Sequence, residues 1–241
     1  MAGLSGLWLP GRLAIGASAY LPLSLVTVTD LSFLSVLWAM ILREIVAGKK
    51  WANLPVVILI GAFIAANALF HLEGAQKGNA SQGYGLRLAL AVSLVLIMLI
   101  GGKVTPSFTR NWVVKRGHNT LPTPPIQRFD KVVLLVSVAA LLAWAAIPDH
   151  IIVGVALIAI GCLHIVRLLR WKGFKTVAEP LVWILHAAYA FVPIGALATG
   201  TSILRPAFVS PAAALHIWTA GAIGLMTIGV MTRASLGHSG R

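Results

Sequence analysis

Eight stretches of this 241-residue chain are each about 20 residues long and nearly free of charge, the length a helix needs to cross the hydrocarbon core of a bilayer. They lie at 5–22, 24–46, 54–72, 85–107, 129–147, 150–170, 179–199 and 210–232. With no water in the bilayer core, backbone polar groups must be satisfied within the segment, so such runs fold as helices. Composition agrees: 59% of residues are hydrophobic and 10% charged, against about 25% charged in an average soluble domain. The expected fold is all-α, a polytopic integral membrane helix bundle of about 8 transmembrane helices. Residues 1–241 form a single transmembrane domain, with no room for a large soluble one.

The breaks between runs carry the residues that stop helices. Pro22 alone separates the first two runs, Gly48-Lys49-Lys50 closes the second, and Pro148-Asp149 follows the fifth. Pro106 and a basic, Pro-rich loop over 108–127 follow the fourth. Ala17-Ser18-Ala19 has the small-x-small form of a signal cleavage site. No basic residue stands ahead of the apolar run, however, and Arg12 falls inside it, so the stretch reads as a retained helix.

The formal charge of +13 would suggest nucleic acid in a soluble protein. In a membrane chain basic residues instead collect in cytoplasmic loops, so no nucleic-acid partner is expected. With eight spans, sixteen Lys and Arg residues fall on one side, Arg12 and Arg167 among them. Only Lys77, Arg87 and Arg205 fall on the other. That bias places both termini in the cytoplasm. Trp8, Trp51, Trp112 and Trp171 sit near span boundaries, as an aromatic belt would.

Ionisable groups inside the spans are costly and mark functional sites by default. His164 and His186 lie roughly 9 Å inside the cytoplasmic boundary of consecutive antiparallel spans, a level at which they can face each other. Asp30, His71 and His216 form an outer group. Imidazole is the commonest metal ligand and holds haem iron. The inner pair is therefore a candidate axial pair and the outer group a candidate copper site. The alternatives are histidines that only bond neighbouring helices, or a proton or metal-ion relay in a transporter. His118 and His150 read as solvated loop residues, while His238 follows the last span on the inner side. Met226 and Met231 could ligate haem or copper, but methionine more often fills a core. Cys162 is the only cysteine and no CxxCH occurs, which excludes covalent c-type haem attachment on that signature. No Walker loop, nucleophile elbow or HExxH is present, so common soluble-enzyme chemistries lack support.

Four segments together resemble the NnrS family. They are Asn67-Ala68-Leu69-Phe70-His71, Gly101 to Asn111 (GGKVTPSFTRN), Glu179 to His186 (EPLVWILH), and the C-terminal part, where Leu215-His216 and Gly221 to Met226 lead into Met231 to Arg241 (MTRASLGHSGR). The resemblance runs over nearly the whole chain. It implies a multi-pass protein of the bacterial cytoplasmic membrane that binds haem and copper and takes part in nitric oxide metabolism, denitrification or resistance to nitrosative stress. Its partners would then be the lipid bilayer, a small gaseous ligand such as nitric oxide, and a further membrane protein or a second copy of the chain. His71, His186, His216 and His238 sit within the matching segments and become the leading ligand candidates, with His164 added on depth. Cofactor-binding residues are thus expected among His164, His186, His216 and His238, and metal ligands among Asp30, His71 and His216. The family's additional N-terminal helices, with their Trp-His-x-His-Glu-Met-type motif, have no counterpart here. A ligand supplied by those helices would be missing from this chain.

Overall fold

A computed structural model describes residues 2–77, 80–117 and 121–238, except the side chains of 2–5, 77, 237 and 238. Every regular element among the described residues is helical, and no strand occurs among them. The helices are α1 (Ala2–Gly16), α2 (Leu23–Ala47), α3 (Leu54–Lys77), α4 (Tyr84–Lys115), α5 (Arg128–Ala146), α6 (Ile151–Arg170), α7 (Pro180–Leu204), α8 (Pro211–His216) and α9 (Met226–His238). A π-helical stretch, Ile217–Leu225, links α8 to α9 within one apolar segment. Among the described residues, seven segments are long and apolar enough to cross a membrane.

The boundaries differ from expectation in two places. The first run was expected over 5–22, but α1 stops at Gly16 and residues 17–20 form a turn. Its 15 residues reach about 22 Å, short of the roughly 30 Å hydrocarbon core. The fourth helix was expected to yield to a loop at 108, yet α4 runs through Pro106 to Lys115. Thr109 and Val113, on that extension, are fully buried. Packing thus outweighs the hydrogen bond that proline removes.

Two compact units are present, Met1–Val92 and Ser93–Arg241, and the division falls within α4. In the first unit, Gly11 lets α1 approach α2 closely: a Cβ there would lie 3.2 Å from the Asp30 Cα. The Trp38 indole N–H donates to the Val57 carbonyl (3.0 Å), tying α2 to α3. The Glu73 carboxylate, on α3, accepts from the Tyr84 and Gly85 amides at the start of α4 (2.8 and 3.0 Å). An anion at a helix N-terminus satisfies both the orphan donors and the helix dipole. Gly85 is needed there, since a Cβ would stand 2.4 Å from the Phe70 amide nitrogen.

Helix α2 ends in a Schellman motif. The Lys50 amide donates to Ile45 (2.9 Å) and the Lys49 amide to Val46 (3.2 Å), with Lys49 left-handed at φ 51°. Glycine adopts that conformation without the Cβ penalty lysine bears. Lys49→Gly is therefore expected to raise the thermal unfolding midpoint in detergent by about 2 °C. An unchanged or lower midpoint would show that this turn stores no strain.

The second unit is organised on the α6–α7 pair. Buried α6 residues fall at Val153, Leu157, Ile160, His164 and Arg167, a heptad seam. On α7 the seam is Val182, Leu185, Tyr189, Val192, Ala196 and Thr199. Lipid offers no hydrophobic drive for helix association, so close packing must come from small residues. At Gly154 and Gly200 backbone meets backbone: a Cβ on Gly200 would lie 2.7 Å from the Gly154 carbonyl. The π-helical stretch packs on α7 through its indole. Trp218 donates to Val192 (3.1 Å) and occupies the space left by Gly195.

Candidate cofactor site

Asp30 is the polar centre of the first unit. It is almost wholly buried, yet three donors converge on its carboxylate. Arg12, on α1, pairs with Oδ1. Asn67 Nδ2 and His71 Nε2 meet Oδ2 at 2.7 and 3.1 Å. Asn67 and His71 stand four residues apart on α3, so one helix face presents both. An ionised carboxylate only accepts, so the His71 proton belongs on Nε2 and its Nδ1 carries a bare lone pair. That Nδ1 has no hydrogen-bond partner among the described residues.

His71 and Asp30 line a cavity of about 770 Å³, walled by Trp8, Phe33, Phe63 and Phe70. Its size and apolar lining with few polar groups fit a cofactor-sized ligand. Metal-ligating histidines almost always donate their second ring N–H to a carboxylate or carbonyl, which fixes the tautomer and raises ligand basicity. The Asp30–His71 pair has that form. Of these residues, His71 would hold a haem iron, with Asp30 orienting its ring. A copper ligand set is a different matter: among the described residues no group of three or more His, Cys, Asp or Glu is placed to hold a metal ion.

The second unit holds a buried polar network. Arg167 is fully buried and its Nε donates to Asp130 (2.7 Å). Its Nη1 donates to the Met98 carbonyl (3.0 Å) and to the Tyr189 hydroxyl (2.7 Å). Tyr189 in turn meets His164 Nδ1 (2.9 Å). His164 Nε2 meets Ser137 Oγ (2.9 Å), and Ser137 donates to the Val133 carbonyl (2.7 Å). Because the Ser137 proton is committed to Val133, the imidazole must donate at Nε2 and accept at Nδ1. The chain thus runs one way from Arg167 to Val133, and both nitrogens of His164 are occupied.

His186 is bonded through Nε2 to the Thr109 hydroxyl (2.7 Å), and its buried Nδ1 has no partner among the described residues. Gly173 packs against that atom, leaving 2.5 Å to where a Cβ would stand. His164 and His186 were expected at one level, where they can face each other. Their rings instead form a series with Tyr189 and Trp171 between them, with centroids 5.9, 4.6 and 6.3 Å apart. His216, expected with Asp30 and His71, belongs to the second unit, is exposed, and has no hydrogen-bond partner among the described residues. His238 closes α9, and its side chain lies outside the described residues, as His118 does altogether. His150, read as merely solvated, caps α6 by accepting from the Ile152 amide.

Three groups escaped the sequence reading. Arg12 and Arg167 were counted only among the cations of the cytoplasmic side, but they form ion pairs with Asp30 and Asp130. Removing them leaves the charge bias at fourteen to three. Trp171 was assigned to the aromatic belt, whereas it is buried against Arg167, Tyr189 and His186. The heptad register of α6, extended by one step, would have found Arg167.

The sequence matches the family described as NnrS protein over residues 1–241. The chain belongs to the NnrS family. No curated protein and no solved structure matches it. Within this NnrS member, three of the four family-like segments meet in the second unit. Thr109 bonds His186, and Arg233 lies 4.0 Å over the Phe108 ring and 3.9 Å from the Glu179 carboxylate. The fourth segment supplies Asn67 and His71 to Asp30.

Proposed function

We propose that this NnrS protein is a haem- and copper-binding, multi-pass protein of the bacterial cytoplasmic membrane that handles nitric oxide, with both termini cytoplasmic. Family membership supports the two cofactors and the link to nitric oxide. The observation that carries a site is the first-unit cavity, where His71 offers an unpartnered Nδ1 and Asp30 holds its other nitrogen. His71 would hold the haem iron, Asn67 and Arg12 would hold the Asp30 carboxylate in place against His71, and the aromatic walls would line the cofactor. When bound, haem supplies an iron centre that takes up nitric oxide. An apolar membrane interior suits that small uncharged ligand.

The test is an absorption spectrum of the detergent-purified chain, oxidised and reduced, with and without nitric oxide, and with iron and copper quantified on the same sample. The expected result is a Soret band that shifts on nitric oxide addition, with stoichiometric iron. A folded, colourless, metal-free protein would overturn the reading and favour a cofactor-free scaffold.

A further inference from the structure

A second cavity in the first unit, about 600 Å³ and distinct from the one at His71, lies where α2 gives way to α3. Leu37, Met40, Ile41, Ile45 and Val56 form an apolar groove. Glu44, Lys50 and Asn53 also line it. The segments Leu23–Ala47 and Trp51–Gln76 both have the length and hydropathy of spans, so the connection between them sits at a membrane surface. Trp51 is exposed there, as an interfacial anchor would be.

Two opposite charges border this groove, and no ion pair joins Glu44 to Lys50 among the described residues. The Schellman turn fixes Lys50 by its amide bond to Ile45, and its side chain folds back over Gly48. A carboxylate one turn inside the helix and an ammonium just past its end match a headgroup that carries both charges on a short spacer. The apolar groove matches an acyl chain. We propose that this groove binds a zwitterionic aminophospholipid, with the primary ammonium on Glu44, the phosphate on Lys50 and Asn53, and an acyl chain along Leu37, Met40 and Ile41.

Native mass spectrometry of the purified chain tests this with dioleoyl lipids bearing ethanolamine, choline or glycerol headgroups. Choline keeps the positive charge but has no N–H to donate, so it isolates the contact with Glu44. The ethanolamine lipid is expected to be retained about tenfold better than the choline lipid, the worth of one charge-assisted hydrogen bond. Glu44→Gln should erase that preference, and Lys50→Gln should weaken both lipids alike. Size-exclusion profiles matching the unaltered chain would show that both variants remain folded. Equal retention of the ethanolamine and choline lipids, or a preference for the anionic glycerol lipid, would overturn the assignment. So would an ethanolamine preference that survives Glu44→Gln. None of these outcomes depends on whether haem is bound.

Discussion

Asp130→Ala is expected to destabilise the second unit by about 3–5 kcal/mol, the usual cost of leaving a buried charge without its partner. Arg167 is fully buried and Asp130 nearly so. The remaining acceptors for Arg167 are the neutral Met98 carbonyl and Tyr189 hydroxyl, which cannot compensate a full charge. Asp130 also closes the N-terminus of α5, where its Oδ2 accepts from the Gln127 amide (2.9 Å), so one substitution removes both a cap and a counter-ion. The measurement is the thermal midpoint and the monodisperse fraction after detergent extraction. The double variant Asp130→Leu with Arg167→Met removes both charges and should recover much of the loss, since apolar replacement of a buried pair is often neutral. A single variant that keeps a midpoint within about 2 °C of the parent would show that Arg167 is hydrated and not sealed.

The spans were legible because lipid imposes a simple rule, long apolar runs forming helices, and among the described residues seven segments keep it. The boundaries were less so. Pro106 reads as a stop in sequence, yet the helix continues because Thr109 and Val113 have a packed face to fill. Depth counted in residues brought His164 and His186 to one level, which locates them along the helix axes but says nothing of azimuth. Azimuth is fixed by side-chain packing, and it turns the two rings towards Tyr189 and Trp171. Asp30 and His71 share a level that can be counted from the sequence, and in the fold their side chains are hydrogen-bonded. Arg12 escaped because a charge bias counts residues on two sides and cannot see a cation that turns inward to an acid.

The largest functional effect is expected at His71. His71→Gln keeps an N–H for the Asp30 carboxylate but has no ring nitrogen to ligate iron, so the first unit should stay folded while haem is lost. Asp30→Asn retains the ligand but loses the charge that orients it, and should weaken haem affinity by about 10–100-fold, the usual effect of removing such an outer partner. His164→Gln should leave haem content unchanged, because both nitrogens of that ring already serve Ser137 and Tyr189.

Haem per folded chain in His71→Gln, set beside His164→Gln and repeated with added imidazole, tests the central claim most directly. The account predicts an absent Soret band in His71→Gln, partly restored by imidazole, and a normal band in His164→Gln. A His71→Gln protein with its full haem content, beside a His164→Gln protein that has lost it, would contradict the account and place the cofactor on the second unit.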